Sequence, residues 1–269
     1  MRTGLPIRII AGLLLVFLPA PLVIVIGASF SPGSVLQFPP PGFSLRWYEA
    51  VLGNHEWVMA FVASAGIALV AAVTTTLAAL GAALALERAS SRVRSVAETM
   101  ILAPLLFPHA ALGIAFLSWL AALKVNGTMI GVFVSHVVLC APFAYRPIAV
   151  SLHQIDRSIS EASEILGASP RQTITAVIAP MLRPGLAAAL LFSFIISFDE
   201  VTVTMFLVGP DFNTLPVKIY GHLADSADPV VAAISTILIA MTGGLIIILD
   251  RVVGLAIFID LEEGARAHT

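Results

Sequence analysis

The chain has 269 residues, of which 59% are hydrophobic and only 11% are charged, and its mean hydropathy is +1.00. Soluble domains carry about a quarter charged residues, and no core of this size absorbs so much apolar surface, whereas a lipid bilayer can. The formal net charge of −2 argues against a nucleic-acid partner. The single cysteine, Cys140, lies in an apolar run and cannot form an intrachain disulfide.

Charge-poor apolar runs predict an all-α polytopic membrane protein with six transmembrane helices. A bilayer core is crossed by roughly 20 helical residues. In chain order the predicted spans are 8–30, 58–86, 99–121, 128–150, 184–208 and 229–250. The first run follows Arg2 and Arg8 as a signal peptide would, but its apolar part is much longer than that of a signal peptide. This length favours a retained span.

The basic residues predict the orientation of these spans. All but three of the 14 Lys and Arg residues fall on the side that holds both termini, and the three exceptions are Arg46, Lys124 and Lys218. Since cytoplasmic loops carry the excess of Lys and Arg, both termini are expected to be cytoplasmic. The outer segments 31–57 and 209–228 contain aromatic residues typical of a membrane interface: Trp47, Tyr48, Trp57 and Tyr220.

The segment 156–180, between spans four and five, predicts a cytoplasmic helical hairpin. Ser158 and Glu161 have the spacing of a capping box, so the first helix is expected to begin at Ile159. Gly167 can adopt the left-handed conformation that ends a helix. A second helix is expected to follow, with N-cap, first position and capping-box partner at Ser169, Pro170 and Gln172. Two capped helices in one loop indicate a surface that is presented to a partner.

This hairpin resembles the EAA loop in permease subunits of binding-protein-dependent ABC importers. That motif reads Glu-Ala-Ala, three residues, Gly, nine residues, Ile, one residue and Leu-Pro. The matching residues are Glu161, Ala162, Gly167 and Pro180, and the departures are Ser163, Val177 and Ala179. The stretches "FSLRWYEAVLGN" and "SFDEVTVTMFLVGPDFNTLPVKIYGHL" resemble the polyamine-type subgroup, the second permease subunit of spermidine/putrescine importers.

The resemblance implies a type I importer permease fold, with 1–269 as one transmembrane domain and its core at about 58–250. It implies a bacterial inner-membrane complex of two permease chains, which the subgroup suggests are different, an ATPase dimer and a solute-binding protein. The hairpin would dock on the ATPase through Glu161, Ala162, Ser163, Gly167, Ser169 and Pro180. The alternative is that Glu161 only completes the capping box. The outer segments near Trp47 and Tyr220 would contact the binding protein, or only anchor the chain at the interface. Tyr220 is also a candidate residue of the substrate pathway.

ATP hydrolysis is assigned to the partner, so no cofactor is expected on this chain. A P-loop ends in Gly-Lys-Ser/Thr, whereas Lys124 and Lys218 follow Leu123 and Val217. The sequence contains no Gly-x-Ser-x-Gly or His-Glu-x-x-His motif. The chain is therefore predicted not to be an enzyme. A secondary transporter or channel without an ATPase is the alternative, and a membrane-embedded enzyme is a more remote one.

The acidic pair Asp199-Glu200 lies about 22 Å along span five from Pro184, in the outer part of the membrane. A carboxylate at that depth is by default a pathway or partner group. Successive helix residues point about 100° apart, which favours one of the pair, Asp199, as the pathway residue. An anionic wall suits a cationic substrate such as a polyamine. Alternatively the helix breaks here, and both side chains reach water or cap the break.

Span three is expected to bend, because Pro104 and Pro108 remove backbone donors and Gly113 permits close helix approach. His109 follows the second proline and is a candidate pathway residue that leaves an anionic or zwitterionic substrate open. A hydrogen-bonded packing role is the alternative. The same packing role is expected for His136, which has no partner at metal-site spacing, and no metal site is predicted.

Overall fold

In the computed structural model, which describes residues 5–226 and 228–253, every regular element is helical. In chain order the α-helices are α1 (Leu5–Phe17), α2 (Ala20–Ala28), α3 (Arg46–Gly53), α4 (His55–Glu87), α5 (Ser91–Leu102), α6 (His109–Ala122), α7 (Met129–His153), α8 (Arg157–Ile165), α9 (Pro170–Gln172), α10 (Ala179–Met181), α11 (Arg183–Asp199), α12 (Leu215–Asp225) and α13 (Val230–Val253). Two 3-10 helices, Ala103–Leu106 and Thr204–Phe206, and one π-helix, Thr173–Ile178, lie between them.

Three helices of the described chain are long and apolar enough to cross a membrane: Pro6–Ala28, His55–Glu87 and Met129–His153. Two bent pairs raise this number to five if each pair is one span, and Val230–Gly244 is a shorter apolar helix. Predicted spans two and four are therefore matched by continuous helices, and span one is matched by α1 and α2, which a turn at residues 18–19 separates. The count of six stays a prediction.

The bend in predicted span three is confirmed. The helix pair Ser91–Leu106 and His109–Ala122 is bent by 106°. Pro104 lies in the 3-10 segment, and Pro108 adopts an extended backbone immediately before α6. Proline lacks the N–H that would continue the hydrogen-bond ladder, so the helix stops and restarts in a new direction.

The prediction for span five, 184–208, is wrong in its last part. Helix α11 ends at Asp199, and Glu200 takes an extended conformation. The carboxylate of Glu200 accepts a hydrogen bond from the backbone N–H of Val203 at 2.8 Å. An acidic side chain that caps an N–H three residues ahead competes with helix continuation, so the chain turns here and forms the 3-10 helix Thr204–Phe206.

The described residues divide into two units, one made of 5–59, 218–226 and 228–247 and the other of 60–217 and 248–253. The second unit buries two apolar clusters. The first contains Ala79, Ala83, Ala144, Tyr145, Ile148, Leu152, Ile178, Leu182 and Ala189. The second contains Ile67, Leu120, Val132, Leu139, Val203 and Leu207. Helix α7 contributes to both, so it is the central packing element of this unit.

Small residues bring the helices of the second unit close together. A Cβ on Gly185 of α11 would fall on the Ser151 hydroxyl of α7. A Cβ on Gly113 of α6 would lie 2.5 Å from the Phe206 ring, so the predicted close approach at Gly113 is confirmed. Close packing of this kind replaces the hydrophobic driving force that is missing between helices in lipid.

In the first unit, the residues between α2 and α3 form an aromatic cluster. The Phe30 and Phe43 rings stack with centroids 4.4 Å apart, and Tyr48 lies 5.4 Å from Phe30. The Trp47 indole donates a hydrogen bond to the carbonyl of Ser31 at 2.9 Å. Side chains thus satisfy and cover a segment without regular structure, as burial of its backbone requires.

Candidate functional site

Three of the predicted pathway residues meet at the break that follows α11. His109, the first residue of α6, places Nδ1 3.0 Å from Oε2 of Glu200. The bend at Pro108 and the break at Glu200 are 92 residues apart in the chain, and this contact joins them. Because a carboxylate only accepts hydrogen bonds, the imidazole donates from Nδ1.

A cavity of about 290 Å³ opens at this junction. Its walls come from the 3-10 segment before the bend and from α6, α7, α11 and the turn after α11. The lining residues are Pro104, Leu105, His109, Leu139, Phe143, Ile195, Ile196, Asp199, Glu200, Val201 and Thr202. A mostly apolar wall with a few convergent polar groups is typical of a small-molecule site.

The two neighbouring carboxylates in this wall have different environments. Both oxygens of Glu200 are bound, Oε1 by the Val203 N–H and Oε2 by His109, and its side chain is only 6% exposed. Asp199 is exposed and forms no hydrogen bond or ion pair with any residue in 5–226 and 228–253. The cavity wall therefore presents one free carboxylate, that of Asp199.

A buried hydrogen-bonded bridge connects the two sides of the helix break at Glu200. His136 of α7 is 2% exposed, and its Nδ1 and Nε2 lie 2.7 Å from the Ser197 hydroxyl and 2.9 Å from the Thr204 hydroxyl. The expectation that His136 is a hydrogen-bonded packing residue is confirmed. Its partners flank the break, one on the last turn of α11 and one after it. Sequence reasoning missed Ser197 and Thr204 because isolated hydroxyl residues carry no periodic signal.

The helical hairpin predicted from the sequence is present, with one correction at its start. Helix α8 begins at Arg157, not Ile159, and its N-cap is Asp156, whose carboxylate accepts the Ser158 N–H at 2.8 Å. The same hydrogen bond lowers the pKa of Asp156. The interpretation of Ser158 and Glu161 as a capping box is therefore wrong. Asp156, two residues earlier, caps the helix instead by accepting the N–H of Ser158.

The turn of the hairpin follows the prediction. Gly167 has a φ of +86°, and the N–H groups of Gly167 and Ala168 donate to the carbonyls of Glu164 and Ser163 at 3.0 Å each. Only glycine adopts this left-handed conformation without steric cost. Ser169 and Gln172 then form both hydrogen bonds of the predicted capping box, with Pro170 at the first helical position.

Contacts inside the hairpin explain one departure from the EAA pattern. The Ser163 hydroxyl lies 2.8 Å from the Thr173 hydroxyl and donates to the Ser160 carbonyl at 2.8 Å. Alanine at this position could not form either bond, so Ser163 links the first helix to the π-helix Thr173–Ile178. Pro180 is half-buried in α10, where the chain bends by 70° between Pro170–Met181 and Arg183–Asp199.

The outer surface of the hairpin is apolar at its tip. Ile165 and Leu166 are 86% and 87% exposed, and Glu161 and Ala162 beside them are also exposed. Two large apolar side chains this exposed at a turn favour a protein interface. Sequence reasoning missed Ile165 and Leu166, although two adjacent apolar residues immediately before the turn glycine are the signal that could have identified them.

Tyr220, the fourth predicted pathway residue, belongs to the first unit and is 57% exposed on α12. The neighbouring residue Lys218 forms an ion pair with Glu56 at 2.6 Å and lies 5.0 Å from the centre of the Trp57 ring. His222 meets the same ring edge-on at 5.5 Å. These contacts fix α12 against the start of α4 within this unit.

Comparison with known proteins identifies the family. The binding-protein-dependent transport system inner membrane component family matches residues 76–256. The chain is 29% identical to the spermidine/putrescine transport system permease protein PotC of Escherichia coli (strain K12), over 84% of this chain and 85% of that protein. It is 30% identical to the putative 2-aminoethylphosphonate transport system permease protein PhnV of Salmonella typhimurium (strain LT2), over 89% and 91% of the two chains.

Solved structures share the fold. A permease chain of a bacterial ABC transporter involved in the import of the acidic polysaccharide alginate superposes with a TM-score of 0.67 at 19% identity, covering 93% of this chain and 95% of that one. A chain of the MetNI methionine ABC transporter gives 0.61 at 19% identity, covering 73% and 94%. The chain thus belongs to the binding-protein-dependent transport system inner membrane component family and is a multi-pass inner-membrane permease subunit of an ABC importer.

Proposed function

We propose that this permease carries a small organic amine, with polyamines such as putrescine and spermidine as the first candidates. The observation that carries the proposal is the free carboxylate of Asp199 in the wall of a cavity of about 290 Å³. A primary ammonium group is a natural partner for an unpaired carboxylate in a partly apolar site. The resemblance to the polyamine permease PotC supports the same substrate class.

A second candidate substrate is an amine that also carries an anionic group, as 2-aminoethylphosphonate does. His109 lines the same cavity as Asp199 and its side chain is 46% exposed. Its Nδ1 is bound to Glu200. The resemblance to PhnV supports this candidate.

Energy for transport would come from a separate ATPase dimer, on which the hairpin 156–180 docks. The exposed tip residues Ile165 and Leu166 would enter a groove of the ATPase, with Ala162 permitting close approach and Glu161 available for a basic partner. Gly167 and Ser169 would hold the turn, while Ser163 and Pro180 would connect it to α11. ATP-driven closure of the ATPase dimer would then draw two such hairpins together and open the spans outward. Hydrolysis would restore the inward-open state.

The remaining partners follow from the same mechanism. A second permease chain, different from this one, would complete the pathway, and a solute-binding protein would deliver the amine from outside. Both termini would be cytoplasmic, and ATP and Mg²⁺ would be bound by the ATPase alone. The outer segments near Trp47 and Tyr220 would contact the binding protein.

The experiment is uptake into proteoliposomes that contain the complete importer and its binding protein. We expect uptake of radiolabelled putrescine or spermidine to require internal ATP and to be insensitive to a proton gradient. Asp199→Asn should reduce the uptake. The matched control is Asp211→Asn, which changes an exposed aspartate in the turn beyond the 3-10 helix Thr204–Phe206 and should leave the uptake unchanged. Uptake driven by a proton gradient without ATP would favour the secondary carrier instead. Equal uptake by both variants would exclude Asp199 as an ammonium partner.

A further inference from the structure

The His109–Glu200 contact determines how many carboxylates of the cavity wall are available to a ligand. Three ionisable side chains line this cavity: His109, Asp199 and Glu200. Without the histidine, two adjacent carboxylates would face the same space. In the structure, His109 Nδ1 lies 3.0 Å from Oε2 of Glu200, and the Glu200 side chain is only 6% exposed.

Glu200 is withdrawn from a ligand by its contacts and by its burial. Its Oε1 accepts the Val203 N–H at 2.8 Å, so each oxygen already has a donor. A carboxylate oxygen can accept a second hydrogen bond, but this side chain is only 6% exposed, so a ligand ammonium reaches it only if His109 moves away from Oε2. Asp199 forms no hydrogen bond or ion pair with any residue that the structure describes.

We infer that His109 is a specificity-determining residue, which occupies Glu200 and so limits this chain's cavity to the recognition of a single ammonium group. The inference rests on the proposed amine transport and deepens it. A diamine would place one ammonium on Asp199 and would have to find its second partner outside this cavity. An amine with one ammonium group would be satisfied here.

Removing His109 should convert the cavity to a two-carboxylate site. In His109→Ala, Oε2 of Glu200 loses its donor and the truncated side chain opens a path to it. A second ammonium then gains a charged partner in a partly buried site, where such hydrogen bonds are strong. Glu200→Gln on top of His109→Ala should reverse this gain, because the amide oxygen can still accept the Val203 N–H while the charge is absent.

The test is equilibrium binding to the purified importer without its binding protein, so that the selectivity measured belongs to the permease chains. Putrescine and 4-amino-1-butanol are matched probes, since they share a four-carbon chain and differ in one ammonium group. We expect the ratio of their affinities to shift toward putrescine by about tenfold in His109→Ala. The ratio should return to the wild-type value in His109→Ala/Glu200→Gln. His153→Ala, an exposed histidine bound only to its own helix, is the control.

A purely structural role for His109 would weaken both probes together and leave their ratio unchanged. An unchanged ratio in a His109→Ala importer that still binds amines would therefore overturn the inference and leave the proposed function intact. If the wild-type importer binds neither amine, the proposed function fails and the inference fails with it. Should His109→Ala not assemble, His109→Val also removes the donor and keeps part of the side-chain volume at the start of α6.

Discussion

The exposed tip of the hairpin gives the sharpest prediction about the partner. Leu166→Ala removes three carbon atoms from a side chain that is 87% exposed in the isolated chain. The free energy of unfolding should change little, because a surface substitution of this kind changes stability by about 0.5 kcal/mol or less. Any larger effect must come from a surface that covers Leu166.

The magnitude follows from burial on docking. At about 0.8 kcal/mol for each buried carbon, full burial of the leucine side chain in an ATPase groove would be worth roughly 2.4 kcal/mol more than alanine. That difference corresponds to a loss of affinity of up to about fiftyfold, and partial burial at the rim would reduce it. We therefore expect a loss of between about tenfold and fiftyfold.

The assay is titration of the ATPase subunit against the permease pair in nanodiscs, with the dissociation constant as the readout. Val93→Ala is the control, because Val93 is 56% exposed on α5 and lies outside the hairpin. Thermal unfolding of each variant should match the wild type. An unchanged dissociation constant for Leu166→Ala would refute the idea that the hairpin tip is buried in the ATPase.

Three further predictions concern the elements that shape the hairpin and the cavity. Gly167→Pro should abolish ATP-driven uptake while the chain still inserts in the membrane, since proline fixes φ near −65° and the turn needs +86°; normal uptake by this variant would contradict the docking role. Gly113→Ala should lower the stability by about 1–3 kcal/mol through overpacking against Phe206, and Phe206→Leu should recover part of the loss. A thermal midpoint equal to that of the wild type would argue against this tight contact. His136→Ala should cost about 2–4 kcal/mol, because it empties a buried site and breaks two hydrogen bonds; a neutral effect on thermal unfolding would mean that the bridge does not hold the break.

Local signals in the sequence were sufficient for the hairpin. A glycine between two short helices and a Ser-Pro-x-Gln start specify their own backbone geometry, and the structure has both at Gly167 and Ser169. The first N-cap was misplaced because Asp156 and Ser158 are both good caps within three residues. Which of them caps depends on where the preceding helix α7 ends, and a spacing rule does not contain that information.

The cavity depends on contacts that no local pattern encodes. Hydropathy predicted one span over 184–208 because the sequence is apolar on both sides of Asp199 and Glu200. The break requires His109 and the Val203 N–H to satisfy Glu200, and His109 is 91 residues away in the chain. The sequence identified all three polar residues as candidates and favoured Asp199 of the two carboxylates, but it did not contain the pairing of Glu200 with His109. That pairing comes from the tertiary structure alone.

The most direct test of the whole account is to purify the tagged chain from its native membranes in mild detergent and to identify the proteins that accompany it. We expect a P-loop ATPase and a second, different permease chain to accompany it in stoichiometric amounts. The ATPase should be lost in the Gly167→Pro variant. A chain that purifies alone, or only with copies of itself, would contradict an ATP-driven importer of this composition.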